Sequence, residues 1–431
     1  MFKTLINAFK IEDLRKKLIY TFLMLIVIRI GSQLPVPGVN RDYFAAWFAA
    51  QNNGAFNFFD AFTGGSFSSM SLFALGVNPY ITSSIIVQLL TIAIPALEEM
   101  QKDGEDGKKK LQKITRYLTI VLALIEAVAM TIGFGNKGLL QEANFINGLG
   151  AVAALVAGSC FVMWIGERIT EKGIGNGISI VLLINIVSRM PDDFVALFHQ
   201  FMNGQPVVKA VIAAIIIVAV VLLTIVLVIF LQDGVRKIPV QYAKKMQGRK
   251  MVGGQSTHIP LKVNTAGVIP VIFASSLMSF PGIIMMLIGK SNIEGVGGHI
   301  LNALSQQNWC SLEQPWYSVG LLIYILLVVF FAYFYTSITF NPLEIANNMK
   351  RQGGFVPGIR PGKPTSDFLA KILNYIIFIG AIGLIIVAVI PIFFNGVFGA
   401  SVSFGGTSLI IVVGVVLETI KQVEAQLVNR H

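Results

Sequence analysis

Side chains that could do chemistry inside the apolar part of this 431-residue sequence are scarce. Glu126 stands nine residues into the apolar run Tyr117–Phe134, near mid-depth of a membrane-crossing helix at ~1.5 Å per residue. A carboxyl group at that depth is the residue type a proton-coupled transporter would use. Neither an acidic partner nor an intramembrane histidine accompanies it, so it reads as a structural residue at a helix contact. Arg29 lies eleven residues beyond Leu18, deep enough that its head must snorkel outward or bond to backbone carbonyls. Hydrolytic chemistry has no constellation to work with. The histidines, His199, His258, His299 and His431, fall in loops or the tail, and no apolar run holds an aspartate. No Gly-x-x-x-x-Gly-Lys-Ser/Thr loop is present to cradle a nucleotide, so ATP hydrolysis must belong to another protein. Cys160 and Cys310 imply no disulfide framework, and no metal or cofactor site is expected.

The elements that hold these residues are set by hydropathy. Hydrophobic residues make up 55% of the chain and charged ones 13%, where a soluble protein carries roughly a quarter charged. That much apolar surface requires lipid as part of its solvent. A bilayer core of ~30 Å needs roughly 20 helical residues. Six runs satisfy this strongly: Leu18–Val36, Tyr117–Phe134, Leu149–Gly166, Val207–Leu231, Tyr317–Ile338 and Phe368–Phe394. Four weaker runs are short or carry Gly, Pro and hydroxyl residues: Ser71–Leu97, Gly177–Met190, Ala266–Ile288 and Val402–Ile420. Interrupted helices of this kind are tolerated where they face protein or a water-filled path. The expected fold is therefore an all-α membrane protein of ten transmembrane helices. The first 17 residues are polar and basic, and the run after them lacks a small-residue cleavage site, so it reads as a retained span.

With the N-terminus in the cytosol and ten alternating spans, 27 of the 33 Lys and Arg residues fall on the cytosolic side and five outside, Arg29 being within the first span. This bias places both termini in the cytoplasm. It also accounts for the net charge of +11 without nucleic acid, although a ribosome surface suits such loops. The spans divide around Gly204 into halves 1–203 and 204–431, and the weak runs fall second and fifth in each. That placement predicts two pseudo-symmetric five-helix halves, a clamshell with a pathway at its interface.

Several segments carry more than hydropathy. They are Pro35-Val36-Pro37-Gly38, the stretch Ser71 to Gln88 containing Ala74-Leu75-Gly76-Val77-Asn78-Pro79-Tyr80, and Thr170-Glu171-Lys172-Gly173-Ile174-Gly175-Asn176-Gly177. Further along stand Gln255 to Asn264, Ala266-Gly267-Val268-Ile269-Pro270, Gly358-Ile359-Arg360-Pro361-Gly362 and Phe404-Gly405-Gly406-Thr407. In this order and spacing they resemble the SecY family, the central subunits of the bacterial Sec translocase, over essentially the whole chain.

The resemblance implies an hourglass channel that passes unfolded secretory polypeptides and opens sideways to release membrane segments into lipid. Its waist would be an aliphatic ring matched here by Val77, Ile81, Ile178, Leu182, Ile272 and Ile411, all on the four weak runs. Val77/Ile81 and Ile178/Leu182 are each spaced i, i+4, so each pair shares one helix face. A constriction of bulky apolar groups can dewet and block ions yet yield to a sliding chain. The segment about 55–69 is too short and polar to cross a bilayer. By resemblance it is a plug folding back under the waist, with Phe58, Phe59, Phe62 and Phe67 packing there and Gly64 and Gly65 as its hinge.

The cytosolic loops are 233–264 and 341–367. By resemblance Arg249 and Lys250 form the tip that meets the ribosome or the motor, and Arg360 serves motor coupling. The implied partners are SecE and SecG as small membrane subunits, the motor ATPase SecA, the ribosome, signal peptides, nascent chains and the lipid bilayer. The inner or single cell membrane is the implied location. The competing reading, a secondary transporter of a small solute, shares the broken helices. It would need a compact polar site at mid-membrane, where these runs offer aliphatics with scattered Ser, Thr and Asn.

Overall fold

A computed structural model describes residues 2–50, 60, 63–134, 144–242, 245–247, 249–252, 256–264, 266–287, 295–304, 309, 315–398 and 407–428. Helix dominates because in lipid every backbone N–H and C=O must be satisfied within the segment. In chain order the helices are α1 Phe2–Lys10, α2 Glu12–Gly31, α3 Arg41–Ala50, α4 Asn78–Ala93, α5 Pro95–Lys102, α6 Glu105–Phe134, α7 Phe145–Lys172, α8 Gly177–Leu197 and α9 Val207–Asp233. They continue as α10 Ile269–Leu287, α11 Val296–Leu304, α12 Val319–Thr339, α13 Pro342–Arg351, α14 Lys363–Phe398 and α15 Thr407–Val428. Each expected span corresponds to a helix: α2, α4, α6, α7, α8, α9, α10, α12, α14 and α15. The chain is a multi-pass membrane protein of the all-α class.

Span ends differ from the hydropathy runs for local reasons. The first span, α2, stops at Gly31 rather than Val36, since Pro35 and Pro37 cannot supply the N–H groups a further turn would need. In the second run the breakers mark an end and interrupt nothing. Ser71 to Val77 is non-helical, Gly76 takes φ +58°, and α4 starts with Pro79 in its first turn, where a missing N–H costs little. The fifth span, α8, carries Pro191 within it and runs on to Leu197. Between α2 and α4 a further helix, α3, was not expected.

Burial separates lining helices from lipid-facing ones. The ninth helix has a mean hydropathy of 3.6, and only 11% of its most apolar window is buried. Its Val211, Ile215, Val218 and Leu222 point outward. The four weak spans are more deeply packed and bury polar side chains along their length: Asn78, Thr82 and Ser83 on α4, Ser179 and Asn185 on α8, Ser275 and Ser276 on α10, and Ser408 on α15; α9 buries Thr224 and Gln232. The main apolar core is assembled largely from these helices together with α7, α9, α12 and α14.

Loop 233–264 is not an irregular loop. It holds β1 Val235–Tyr242, β2 Lys245–Gln247, β3 Lys250–Val252 and β4 Ser256–Lys262. Strands β1 and β4 pair antiparallel from Val235↔Lys262 to Gln241↔Ser256. A short strand β5, Gly354–Phe355, from the second loop joins β1 on its other edge, giving the order β4-β1-β5. Ile238 and Val240 are buried while Lys237 and Pro239 are exposed, the two-residue alternation of a half-buried strand. With Leu261, Met349, Val356, Leu369 and Ile376 they form a separate small core under α13 and the start of α14.

Candidate functional site

Each waist residue sits close to a helix start fixed by its own sequence. Val77 is the residue before α4, and Ile81 N–H bonds Val77 C=O at 3.0 Å, so the pair is stacked one turn apart. On α8, the Asn176 side chain accepts from Ile178 N–H at 3.2 Å, while Thr170 Oγ1 accepts from Gly177 N–H at 2.9 Å. These two bonds satisfy donors that a helix start leaves open, and they set Ile178 and Leu182 one and two turns in. Ile272 lies one turn into α10 after Gly267 turns the chain at φ +66°, and Ile411 one turn into α15. Val77, Ile81, Leu182, Ile272 and Ile411 are buried in one cluster, and half-buried Ile178 packs against it.

The segment leading into α4 is fastened from several sides. Arg29 Nη1 donates to Gly64 C=O at 3.1 Å, and Arg41 Nε donates to Ser69 C=O at 2.8 Å. Pro35 and Ser71 form an antiparallel bridge. Asp60, 1% exposed, accepts from Ser68 N–H at 2.9 Å and faces Arg189 Nη2 at 3.2 Å from the other carboxylate oxygen. Gly64 and Gly65 take φ +66° and +83°, conformations that glycine adopts without a Cβ penalty.

Where its aromatic contact goes differs from expectation. Phe67 does not pack beneath the waist. Its ring meets Phe44 edge-on at 5.3 Å and Phe48 at 6.0 Å, both on α3, in a second cluster with Met70, Ala123, Ala127 and Leu155. The reason is α3 itself, which lies outside the waist and offers an aromatic face. Phe58, Phe59 and Phe62 lie outside the described residues.

Both intramembrane charges are accounted for differently. Arg29 bonds to a backbone carbonyl, one of the two outcomes open to it. Glu126 is buried beside Ala123, Ala127 and Met130, and its Oε2 has no hydrogen-bond partner among the described residues. A second membrane-embedded acid, Glu418 on α15, was overlooked in the hydropathy pass; it accepts a backbone hydrogen bond from Val268. No cluster of metal-ligating side chains occurs among the described residues.

Against known proteins the likeness is extensive. A family profile described as SecY matches residues 71–420. The chain belongs to the SecY family. The protein translocase subunit SecY of Halalkalibacterium halodurans is 44% identical over 437 residues, spanning 100% of this chain and 98% of that one. That of Bacillus subtilis is 44% identical over 440 residues, with the same shares covered. Among solved structures, one described as a protein conducting channel superposes with a TM-score of 0.65 at 20% identity, covering 97% of this chain and 93% of its own. Sec61 in a canine ribosome-channel complex gives 0.61 at 19%, with the same coverage. These two show a shared fold.

The basic positions expected to meet partners are placed on built supports. Arg249 lies exposed between β2 and β3, where Gln247 pairs with Lys250, so the pair of basic residues marks a hairpin tip. Arg360 is exposed between Gly358 and Gly362, at φ +83° and +97°, and its carbonyl accepts from Thr365 Oγ1 at 2.6 Å. Sequence reasoning missed Asp60 and Arg189 as site residues. Arg189 was counted only as an external charge, although it continues the helical stripe Ile178, Leu182, Asn185 at i+11.

Proposed function

We propose that this chain is a protein-conducting channel through which unfolded secretory polypeptides cross the cell membrane, with lateral release of membrane segments into lipid. The observation that carries this is the gathering of five aliphatic side chains, Val77 before α4, Ile81 on α4, Leu182 on α8, Ile272 on α10 and Ile411 on α15, into one buried cluster with half-buried Ile178 packed against it. A small-solute transporter would need a compact polar site there, and the cluster is apolar. An aliphatic seal resists ions through dewetting and has no fixed hydrogen bonds to break when a chain parts it. Val77, Ile81, Ile178, Leu182, Ile272 and Ile411 are its ring in this reading.

Asp60 and residues 63–69 are the described part of a plug, and residues 1–203 and 204–431 are the two halves. The channel is passive, and work is supplied by SecA or a translating ribosome docking on Arg249, Lys250 and Arg360. SecE and SecG are the small membrane partners, and the inner or single cell membrane, with cytoplasmic termini, is the location. Relatives named translocase subunits support this, as does the basic bias of the cytosolic segments.

A stalled secretory chain should crosslink to cysteines placed at Ile81, Ile178, Ile272 and Ile411, and not to cysteines at Val218 or Leu222 on α9. Labelling at one ring position alone, or equal labelling on α9, would defeat the assignment.

A further inference from the structure

One face of α8 carries Ile178, Leu182, Asn185 and Arg189, at i, i+4, i+7 and i+11. The first two belong to the aliphatic cluster. The other two meet the segment before α4. A Cβ on Gly64 would lie 3.1 Å from Asn185 Cα, and one on Gly65 would lie 3.5 Å from Arg189 Cδ. Beyond these contacts Arg189 Nη2 reaches Asp60 Oδ2 at 3.2 Å. Arg29 of α2 stands on the same segment, against Gly64, while Arg189 stands against the adjacent Gly65. Two cations therefore converge on a segment whose one carboxylate at that place, Asp60, is 1% exposed. A buried carboxylate and an arginine on the outer side of a membrane protein are each costly alone and compensate each other here.

We propose that the Asp60–Arg189 pair is the latch that holds the plug seated, and that Arg189 is a plug-positioning residue coupled to the waist through α8. The inference rests on the plug and waist reading above. Arg189 lies about 10 Å along the helix axis from Leu182 at ~1.5 Å per residue. A tilt or rotation of α8 that widens the ring at Ile178 and Leu182 carries Arg189 away from Asp60. Breaking the pair in turn leaves two cations without a counter-charge at the adjacent Gly64 and Gly65, and their repulsion loosens the segment. A chain entering the waist thus releases the plug without touching it.

The test is resting ion leak in proteoliposomes containing the full chain with its partner subunits. Asp60→Asn keeps the oxygen that accepts Ser68 N–H and removes only the charge. It should raise the leak by about tenfold or more, as expected when the closed state loses an ion pair that is buried on its carboxylate side. Arg189→Gln should raise it less, because Arg29 then stands alone. The double variant should leak less than Asp60→Asn, since the repelling partner is gone. If Arg189→Gln fails to insert, Arg189→Met, with the charge removed and the apolar stem kept, replaces it with the same order expected. Silent single variants, or effects that simply add in the double, overturn the latch. A deletion of residues 60–67 separates the two ideas. If the deletion leaks while the charge variants do not, the plug stands and the latch falls. If the deletion is tight, the plug reading itself falls.

Discussion

Arg29 Nη1 sits 3.1 Å from the carbonyl oxygen of Gly64, and a methyl group on Gly64 would lie 2.4 Å from that same nitrogen. The first span and the segment before the second therefore touch with no room for a side chain. Gly64→Ala meets this contact and also a φ of +66°, which costs an L-residue roughly 1–2 kcal/mol. The expected result is a channel that inserts normally and leaks ions at rest, measured as decay of a potassium diffusion potential in vesicles. Gly104→Ala supplies the comparison, with φ +78° but nothing within 4 Å of its Cβ. It should change thermal stability slightly and leak not at all.

The fourth span presses on the same region from behind. A Cβ on Gly158 would fall 1.9 Å from Leu72 C=O, and the neighbouring Ser159 Oγ donates to Gly76 C=O at 3.1 Å. Because a backbone atom is in the way, nothing flexible can yield. Gly158→Ala should destabilise the folded channel by about 1–3 kcal/mol, the usual cost of overpacking. Lowered thermal stability in detergent, with Ser159→Ala costing less, checks it. Equal stability of Gly158→Ala and the parent would show that α7 and the turn at Leu72 are not held in register.

Much of this was legible beforehand because lipid imposes length and hydropathy so strictly. Val207–Leu231 matched α9 within two residues, since nothing in it but apolar side chains decides its bounds. That Val77 and Ile81, and Ile178 and Leu182, each share a helix face was legible in their spacing, while their role as a waist came from the resemblance and is a proposal. What escaped is what tertiary partners decide. The strand β1 alternates Ile238 and Val240 against Lys237 and Pro239, a readable pattern, but its density of Arg and Lys suggested a solvated loop. Its pairing with Phe355, more than a hundred residues later, leaves no local trace. Phe67 turned to α3 because a ten-residue helix stands there, and sequence offered no means of choosing between two apolar surfaces. Arg189 looked like one more flanking charge until Asp60 was placed against it.

Arg360 projects from a loop whose backbone is fixed without help from its side chain. Gly358 and Gly362 supply the left-handed turns, Thr365 bonds the Arg360 carbonyl, and β5 ties the preceding residues to β1. Removing the guanidinium should leave that scaffold standing. Arg360→Ala is expected to lower the initial rate of motor-driven import into inverted vesicles about tenfold or more, equivalent to ~1.4 kcal/mol or above in barrier. Arg360→Lys should recover little, because an ammonium lacks the planar fork that grips carboxylate or phosphate. Unchanged thermal stability in both variants distinguishes lost contact from lost fold. A full rate with Arg360→Ala would mean the motor docks elsewhere.

Glu126 separates a conduit from a proton-coupled machine. It is buried on α6, its Oε2 lacks any hydrogen-bond donor among the described residues, and its helix neighbours Ala123, Ala127 and Met130 offer none. A proton relay needs a chain of exchanging groups, and a lone acid among alanines is not one. Glu126→Gln should therefore support normal export, with the same stimulation by the proton gradient as the parent. Glu126→Leu goes further, replacing a buried polar group that has an unsatisfied atom by an apolar one of similar size, a change that is neutral or stabilising when no partner is orphaned. Its melting temperature in detergent should equal or exceed that of the parent. Export that proceeds in Glu126→Gln but no longer responds to the gradient would make Glu126 a proton carrier and remove the channel's passive character.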